Sequence, residues 1–193
     1  MLVRLLCGAR AVWLGSAPPN GVCIFFANHT SNLDPVVLWS ALPSFIRIRT
    51  RPVAAQDYWT KSSLRLFLAT RVFRALLIER RNVTVRNNPL AKMLEALDAA
   101  DSLIIFPEGG RFAGPEPQEF KSGLYHLARQ RPNVPLVPVY LENLNRVLPK
   151  GEFLPVPLLG SVTLGSPISL NPGESKLDFL SRARLASWNL HRL

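Results

Sequence analysis

A histidine and a carboxylate, His29 and Asp34, stand five residues apart where an apolar run gives way to a polar, turn-rich segment. The run 22–27 is too short for a core helix and predicts a buried strand, whereas Pro35 suits the first turn of a helix. A sharp strand-to-helix corner would let the carboxylate fold back towards the imidazole. Such a partner holds one imidazole tautomer and makes the ring a better general base. Taken alone, the pair also fits a turn histidine beside a helix-capping aspartate, so a catalytic interpretation needs a second observation.

The second observation is the segment Phe-Pro-Glu-Gly-Gly-Arg at 106–111. Together with the His29–Asp34 pair, it resembles the glycerolipid acyltransferases, the family that includes the 1-acylglycerol-3-phosphate acyltransferases. Two more segments resemble blocks of that family and occur in the right order. They are Leu-Ile-Glu-Arg at 77–80 and the proline-punctuated run at 134–139. Four blocks in order make the match specific, although no single block would suffice.

The resemblance implies an O-acyltransferase that moves a fatty acyl group from an acyl thioester to the free hydroxyl of a lysophospholipid. The first choice of acceptor is 1-acylglycerol 3-phosphate, which would give phosphatidate. Acyl-CoA or acyl-carrier protein would be the donor and thus a co-substrate, and neither a cofactor nor a metal is expected. His29 would act as the base, and Asp34 would orient the imidazole. The implied acceptor-side residues are Arg80, Glu108, Gly109, Gly110 and Arg111, with Lys121 as a weaker phosphate candidate.

The chain departs from the family pattern at two positions of the third block. Gly110 stands where threonine is usual, and Phe112 stands where serine is usual. Because this block lies on the acceptor side in the family, the same chemistry on another lysolipid or on an acylated amino-acid lipid stays open. A non-catalytic, basic membrane- or nucleic-acid-binding protein is a further alternative. The intact His29–Asp34 pair counts against that alternative.

The residue types favour direct transfer between the two substrates. No G-x-S-x-G elbow occurs, and neither Cys7 nor Cys23 precedes a histidine in a catalytic context. No H-E-x-x-H motif or cluster of cysteine and histidine occurs either, so the sequence predicts no metal site. Arginine guanidiniums suit bidentate contact with a phosphate, which agrees with an acceptor-side role for Arg80 and Arg111.

The charge indicates an anionic partner. The formal net charge is +10, from 23 Lys and Arg against 13 Asp and Glu. Such an excess suits nucleic acid or a phospholipid surface, but no nucleic-acid-binding module is recognisable. Ten basic residues crowd into 47–86, which we interpret as a face towards an anionic membrane: Arg47, Arg49, Arg51, Lys61, Arg65, Arg71, Arg74, Arg80, Arg81 and Arg86. The expected location is cytoplasmic, peripheral on the cytoplasmic face of a membrane.

The apolar segments are too short to span a bilayer, because the longest run is about six residues against the roughly 18–20 required. Residues 1–14 are apolar with interspersed arginines. They predict either a short amphipathic membrane-contacting helix or a plain packing helix. The proline-punctuated stretch 148–159 is a candidate lid, edge element or membrane-touching loop.

The rest of the chain alternates apolar runs with helical periodicity, which predicts an α/β fold. We expect one layered domain over residues 1–193, with a central, largely parallel or mixed sheet flanked by helices. Among the predicted elements, strands cover 46–54 and 103–106, and a helix with Asn88 as its N-cap covers 89–100. A further helix covers 62–73. The helix places Leu64, Phe67, Leu68 and Val72 on one apolar face.

Overall fold

Residues 10–15, 19–80, 82–84, 86–112, 116–142 and 160–192 are described in this computed structural model. Seven strands form one mixed sheet, and their spatial order is β1-β7-β6-β2-β5-β3-β4. All neighbouring strands are parallel except β6 and β7, which are antiparallel. The strands are β1 (Arg10–Trp13), β2 (Ile24–Ala27), β3 (Thr50–Ala55), β4 (Leu76–Ile78), β5 (Ser102–Ile105), β6 (Leu136–Glu142) and β7 (Ser161–Leu164). The predicted α/β fold class with a mixed sheet is therefore confirmed.

Helices cover both faces of this sheet. They are α1 (Asp34–Ala41), α2 (Ser44–Arg47), α3 (Gln56–Trp59), α4 (Ser63–Phe67), α5 (Pro89–Asp98), α6 (Gly123–Gln130) and α7 (Lys176–Trp188). A π-helical turn, Leu68–Val72, continues α4, and a 3-10 turn, Asn189–Arg192, continues α7. No helix within the described ranges has both the length and the apolar composition needed to cross a membrane.

The two central strands form the core of the molecule. Every residue of β2 is fully buried, and β5 is buried along its whole length. Because helices pack on both faces, these strands can be continuously apolar rather than alternating. Phe25 faces the side covered by α1, whereas Phe26 faces the side covered by α5, α6 and α7. The loops that follow β2 and β5 thus start from the most rigid part of the protein.

The N-terminal helix predicted over 1–14 is wrong where the structure describes it. Arg10–Trp13 form β1, which pairs in parallel with β7 at the sheet edge. Pairing with an available edge strand overrides the weak local preference of so short a segment. Residues 1–9 lie outside the described residues, as does the whole of the predicted lid, edge element or membrane loop at 148–159.

Two further predictions need correction. The strand predicted from residue 46 begins at Thr50, because Ser44–Arg47 turn into a short helix after Pro43. The helix predicted over 62–73 exists, but its predicted apolar face does not pack into the core. Leu64 and Phe67 are 68% and 56% exposed. Helical periodicity identifies residues that share a face, but it does not tell what that face meets.

Candidate active site

Four of the strands carry functional residues directly beyond their carboxyl ends. His29 follows β2, Asp57 follows β3, Arg80 follows β4 and Glu108 follows β5. These four strands are neighbours in the order β2-β5-β3-β4, and all run in parallel. Their carboxyl ends therefore meet at one edge of the sheet, where open α/β sheets place their ligand sites.

His29 and Asp34 are in contact, as the strand-to-helix corner predicts. The distance from His29 Nδ1 to Asp34 Oδ2 is 2.8 Å. The same carboxylate oxygen accepts from the backbone N–H groups of Thr30 and Ser31, at 2.6 and 2.8 Å. A carboxylate oxygen accepts, so in the neutral imidazole Nδ1–H donates a hydrogen bond to Asp34. Nε2 is then the unprotonated nitrogen available to a substrate.

Three further contacts hold His29 from the β5 side. Its backbone N–H donates to Glu108 Oε1 at 2.9 Å, and its carbonyl accepts from the Phe112 N–H at 2.9 Å. The imidazole also stacks on the Phe106 ring, with centroids 4.4 Å apart. The ring and the backbone of His29 are thus both held in place, which keeps Nε2 in one orientation. Phe112 contributes through its backbone N–H, so its departure from the family's serine does not affect this contact.

Glu108 links the two principal sequence blocks. Its side chain is buried, and its second oxygen accepts from the Gln118 N–H at 3.4 Å. Burial raises the pKa of the Glu108 carboxyl, while the N–H donors of His29 and Gln118 oppose the rise. The resemblance placed Glu108 on the acceptor side. The structure shows a positioning contact between its carboxylate and the backbone of the proposed base, and the acceptor-side role stays a prediction.

Replacing Glu108 tests this positioning contact. Glu108→Ala leaves the buried N–H of His29 without its acceptor, which costs about 1–3 kcal/mol. We expect a lower free energy of unfolding and a lower kcat. Glu108→Gln keeps one acceptor oxygen and should restore part of both. Chemical denaturation and steady-state kinetics measure the two effects, and an alanine variant with wild-type stability and kcat would contradict the role.

The glycines of the third block differ in their surroundings. Gly109 has a φ of +71°, and a Cβ there would lie 2.6–2.8 Å from the Nζ, Cε and Cδ atoms of Lys121. The lysine side chain therefore crosses directly over Gly109, which only a residue without Cβ permits. A Cβ at Gly110 would meet nothing within 4 Å. Gly109 has two structural reasons to be glycine, whereas Gly110 has neither.

Gly109→Ala should therefore destabilise the protein by about 1–3 kcal/mol, through the left-handed backbone and the clash with Lys121. Gly110→Ala should cost less in the same chemical denaturation measurement. In a double-mutant cycle, Lys121→Ala should relieve part of the cost of Gly109→Ala. If the two substitutions change the free energy of unfolding strictly additively, Lys121 does not cross Gly109 in solution.

A cavity of about 600 Å³ opens at this edge of the sheet and brings the predicted residues together. His29, Arg80, Gly109, Gly110 and Arg111 all line it. Most of its remaining wall is apolar and comes from β3, α3, β4, α5, β5 and α6: Val53, Trp59, Ile78, Met93, Ile105, Leu124 and Leu127. Lys121 lines the cavity as well. The arrangement combines a base, cationic side chains and an apolar chamber.

The two arginines have different environments. Arg80 Nη2 lies 3.2 Å from Asp57 Oδ1, so an acidic residue after β3 orients the guanidinium. The sequence analysis missed Asp57, although its place directly after a predicted strand was an available signal. Arg111 is exposed and lies between this cavity and a second one of about 750 Å³ that also contacts Arg184.

Comparisons with known proteins agree with this arrangement. A probable 1-acyl-sn-glycerol-3-phosphate acyltransferase from Mycoplasma pneumoniae is 30% identical over 127 residues, which are 63% of this chain and 44% of that protein. The 1-acyl-sn-glycerol-3-phosphate acyltransferase alpha of Homo sapiens is 29% identical over 73% of this chain and 48% of its own length. The chain thus spans about half the length of the curated relatives it matches.

The fold and a family model give two further matches. The crystal structure of the 1-acyl-sn-glycerophosphate acyltransferase PlsC from Thermotoga maritima superposes with a TM-score of 0.73 and 19% identity. The superposition covers 96% of this chain and 73% of that one. The family model described as Acyltransferase matches residues 14–142, which is two thirds of the sequence. The chain therefore belongs to the acyltransferase family.

Proposed function

We propose that the protein transfers a fatty acyl group from an acyl thioester to the free hydroxyl of 1-acylglycerol 3-phosphate and so forms phosphatidate. The observation that carries this proposal is the His29–Asp34 pair at the mouth of an apolar cavity that also presents Arg80 and Arg111. The names of the curated relatives support the same acceptor. The donor is an acyl-CoA or an acyl-carrier protein, since both present the same thioester.

In the proposed reaction, His29 Nε2 takes the proton from the acceptor hydroxyl while that oxygen attacks the thioester carbonyl. The Asp34 carboxylate stabilises the imidazolium that forms, because it is already held by three donors. Collapse of the tetrahedral intermediate breaks the carbon–sulfur bond, and the imidazolium returns its proton to the departing thiolate. The base thus ends the cycle in its starting state.

No covalent acyl-enzyme is needed in this scheme, because the acceptor hydroxyl is the nucleophile. Cys23 is unsuited to that role: burial raises the pKa of its thiol to about 12, so it does not form a thiolate at neutral pH. Its Sγ lies 3.8 Å from the Ser102 hydroxyl inside the core.

The two ends of the acceptor fit different parts of the cavity. The apolar wall would cover a fatty acyl chain, since burial of each methylene group stabilises binding by about 0.8 kcal/mol. The forks of Arg80 and Arg111 would contact the phosphate with paired N–H donors. Because the substrates are lipids, we place the enzyme peripherally on the cytoplasmic face of a membrane. The net charge of +10 supports contact with anionic lipid.

The residue types at Gly110 and Phe112 support a second acceptor class. Gly110 leaves open space, and Phe112 places an exposed phenyl ring where the family usually has a small hydroxyl. Both changes enlarge or alter the acceptor side. Transfer to another lysolipid, or to an acylated amino-acid lipid, therefore remains the alternative proposal.

One acceptor panel decides between these proposals. Purified protein receives a labelled acyl thioester and, in turn, lysophosphatidate, the matching monoacylglycerol, other lysophospholipids and an acylated amino-acid lipid. The main proposal expects lysophosphatidate to react about 10- to 150-fold faster than monoacylglycerol, because the phosphate makes charge-assisted contacts. Equal rates on those two acceptors would show that the phosphate is not recognised. If no acceptor were acylated, the proposed acyltransferase activity would be rejected.

A further inference from the structure

The helix α4 and the π-helical turn after it present an apolar surface that the core does not use. Among residues 61–74, Ala69 alone is buried. We define the α4 face as the exposed side chains of Leu64, Leu66, Phe67 and Val72, which are 68%, 39%, 56% and 43% exposed. In a protein of this size, large apolar side chains gathered on one element indicate a contact surface rather than chance exposure.

The exposed apolar residues cluster in this region. Eleven large hydrophobic residues among those the structure describes are classed as exposed, and six of them lie between residues 45 and 72. The two outside the α4 face, Phe45 and Ile48, lie in and directly after α2. Arg74, just beyond the π-helical turn, donates from Nη1 to the Ile48 carbonyl. The patch therefore extends from α4 towards the end of α2.

Basic side chains predominate along the segment that carries the α4 face. Residues 58–78 contain Lys61, Arg65, Arg71 and Arg74 but no Asp or Glu, and Arg74 pairs with Asp101 at 3.6 Å. A surface that interleaves bulky apolar side chains with cations is complementary to an anionic bilayer, in which the apolar groups enter the acyl region and the cations meet phosphates.

The α4 face is also next to the mouth of the cavity. Tyr58 and Trp59 line the cavity, and the Arg65 guanidinium lies 4.8 Å above the Tyr58 ring. Trp59 packs on the cluster of buried alanines to which Ala69 belongs, so the cavity wall and the π-helical turn share one anchor. The α4 face is therefore linked to the cavity wall through Tyr58 and Trp59.

From these contacts we infer that the α4 face docks on an anionic phospholipid bilayer and sets the cavity mouth against it. The inference rests on the proposed function, because an enzyme with a lipid acceptor has to reach its substrate at a bilayer. The proposed partner is a bilayer, and a second copy of the chain is the alternative that the experiment separates from it.

The experiment compares two matched double variants. Leu64→Ser with Phe67→Ser removes apolar area from the α4 face. Leu177→Ser with Leu185→Ser removes exposed leucines, 73% and 50% exposed, from α7. Sedimentation with phosphatidylcholine vesicles, with and without one quarter phosphatidylglycerol, measures binding. The α4 variant should bind the anionic vesicles about 10- to 100-fold less tightly, whereas the α7 variant should match wild type.

A second double variant tests the basic residues around the α4 face. Lys61→Ala with Arg71→Ala should weaken binding to anionic vesicles on the order of 10-fold and leave binding to neutral vesicles unchanged. Raising the salt concentration should reduce the difference between this variant and wild type. Anionic-vesicle binding that is unchanged in both the apolar and the charge variants would overturn the inference.

Two controls keep failure of the inference apart from failure of the proposed function. Turnover of a water-soluble, short-chain lysophosphatidate with a short-chain thioester needs no bilayer, so both serine variants should keep wild-type rates. Absence of turnover by the wild type in that assay would reject the proposed function without touching vesicle binding. Analytical ultracentrifugation tests whether the α4 face binds a second copy of the chain. If the wild type self-associates, and the α4 variant loses this self-association but binds vesicles as before, the face is an interface between two copies.

Discussion

His29→Ala is expected to lower turnover by about 10²–10⁴-fold while the protein stays folded. The variant removes the only group at this position that takes the hydroxyl proton in the proposed reaction. The His29 side chain is 19% exposed, and Asp34 keeps the Thr30 and Ser31 donors, so the variant should lose some stability but remain folded, which chemical denaturation checks. Single-turnover kinetics with saturating donor measure the effect. His126→Ala, a histidine of α6 that does not line the cavity, is the matched control and should keep wild-type turnover. Near-normal turnover by His29→Ala would contradict the proposed role of His29 as the general base.

Asp34→Asn examines the other half of the pair and should also lower kcat by about 10²-fold or more. The amide oxygen can still face the donors from His29, Thr30 and Ser31, so the local shape is retained. What disappears is the negative charge that stabilises the imidazolium. The effect should therefore appear in kcat, with the acceptor KM little changed. A loss confined to KM would assign Asp34 to substrate binding rather than to the base.

The second large effect is expected for the arginines that face the acceptor phosphate. Arg111→Ala, or Arg80→Ala, should lower kcat/KM for lysophosphatidate about 10- to 150-fold, because a hydrogen bond to a charged group contributes roughly 1.5–3 kcal/mol. The loss should lie mainly in the acceptor KM, and the donor KM should hardly move. Lysine at either position should restore part of the loss, since it keeps the charge without the fork.

A surface arginine provides the control for these variants. Arg131 forms an exposed ion pair with Asp98, with Nη2 and Oδ2 2.6 Å apart, away from the residues that line the cavity. Such pairs contribute about 0–1 kcal/mol, so Arg131→Ala should leave the kinetics unchanged. If Arg80→Ala and Arg111→Ala behave like this control, the phosphate is bound elsewhere.

Much of the central sheet was predictable because it is encoded locally. The short, continuously apolar runs before His29 and before Pro107 predicted strands, and β2 and β5 occupy them within two residues. The helix predicted at 89–100 ends at Asp98, and its predicted cap is correct, because the Asn88 side chain accepts from the Leu90 N–H. In each case, the residues that determine the structure are neighbours in the chain.

The His29–Asp34 contact was predictable for the same reason. Five residues at a strand-to-helix corner suffice to bring the two side chains together. The link from Glu108 to His29 spans 79 positions, and that from Arg80 to Asp57 spans 23. Neither link follows from local pattern, since each depends on which strands become neighbours in the sheet.

The sequence by itself therefore determined the strand-helix alternation, the contact between His29 and Asp34, and the family, because short-range sterics, periodicity and motif spacing specify these. Only the tertiary structure decided that Glu108 accepts from the backbone N–H of His29 and that Lys121 crosses Gly109. It also decided that the apolar residues of α4 face outwards and that residues 10–13 form an edge strand. Burial and strand pairing depend on contacts between distant segments, and the chain establishes those contacts only when the whole sheet has formed.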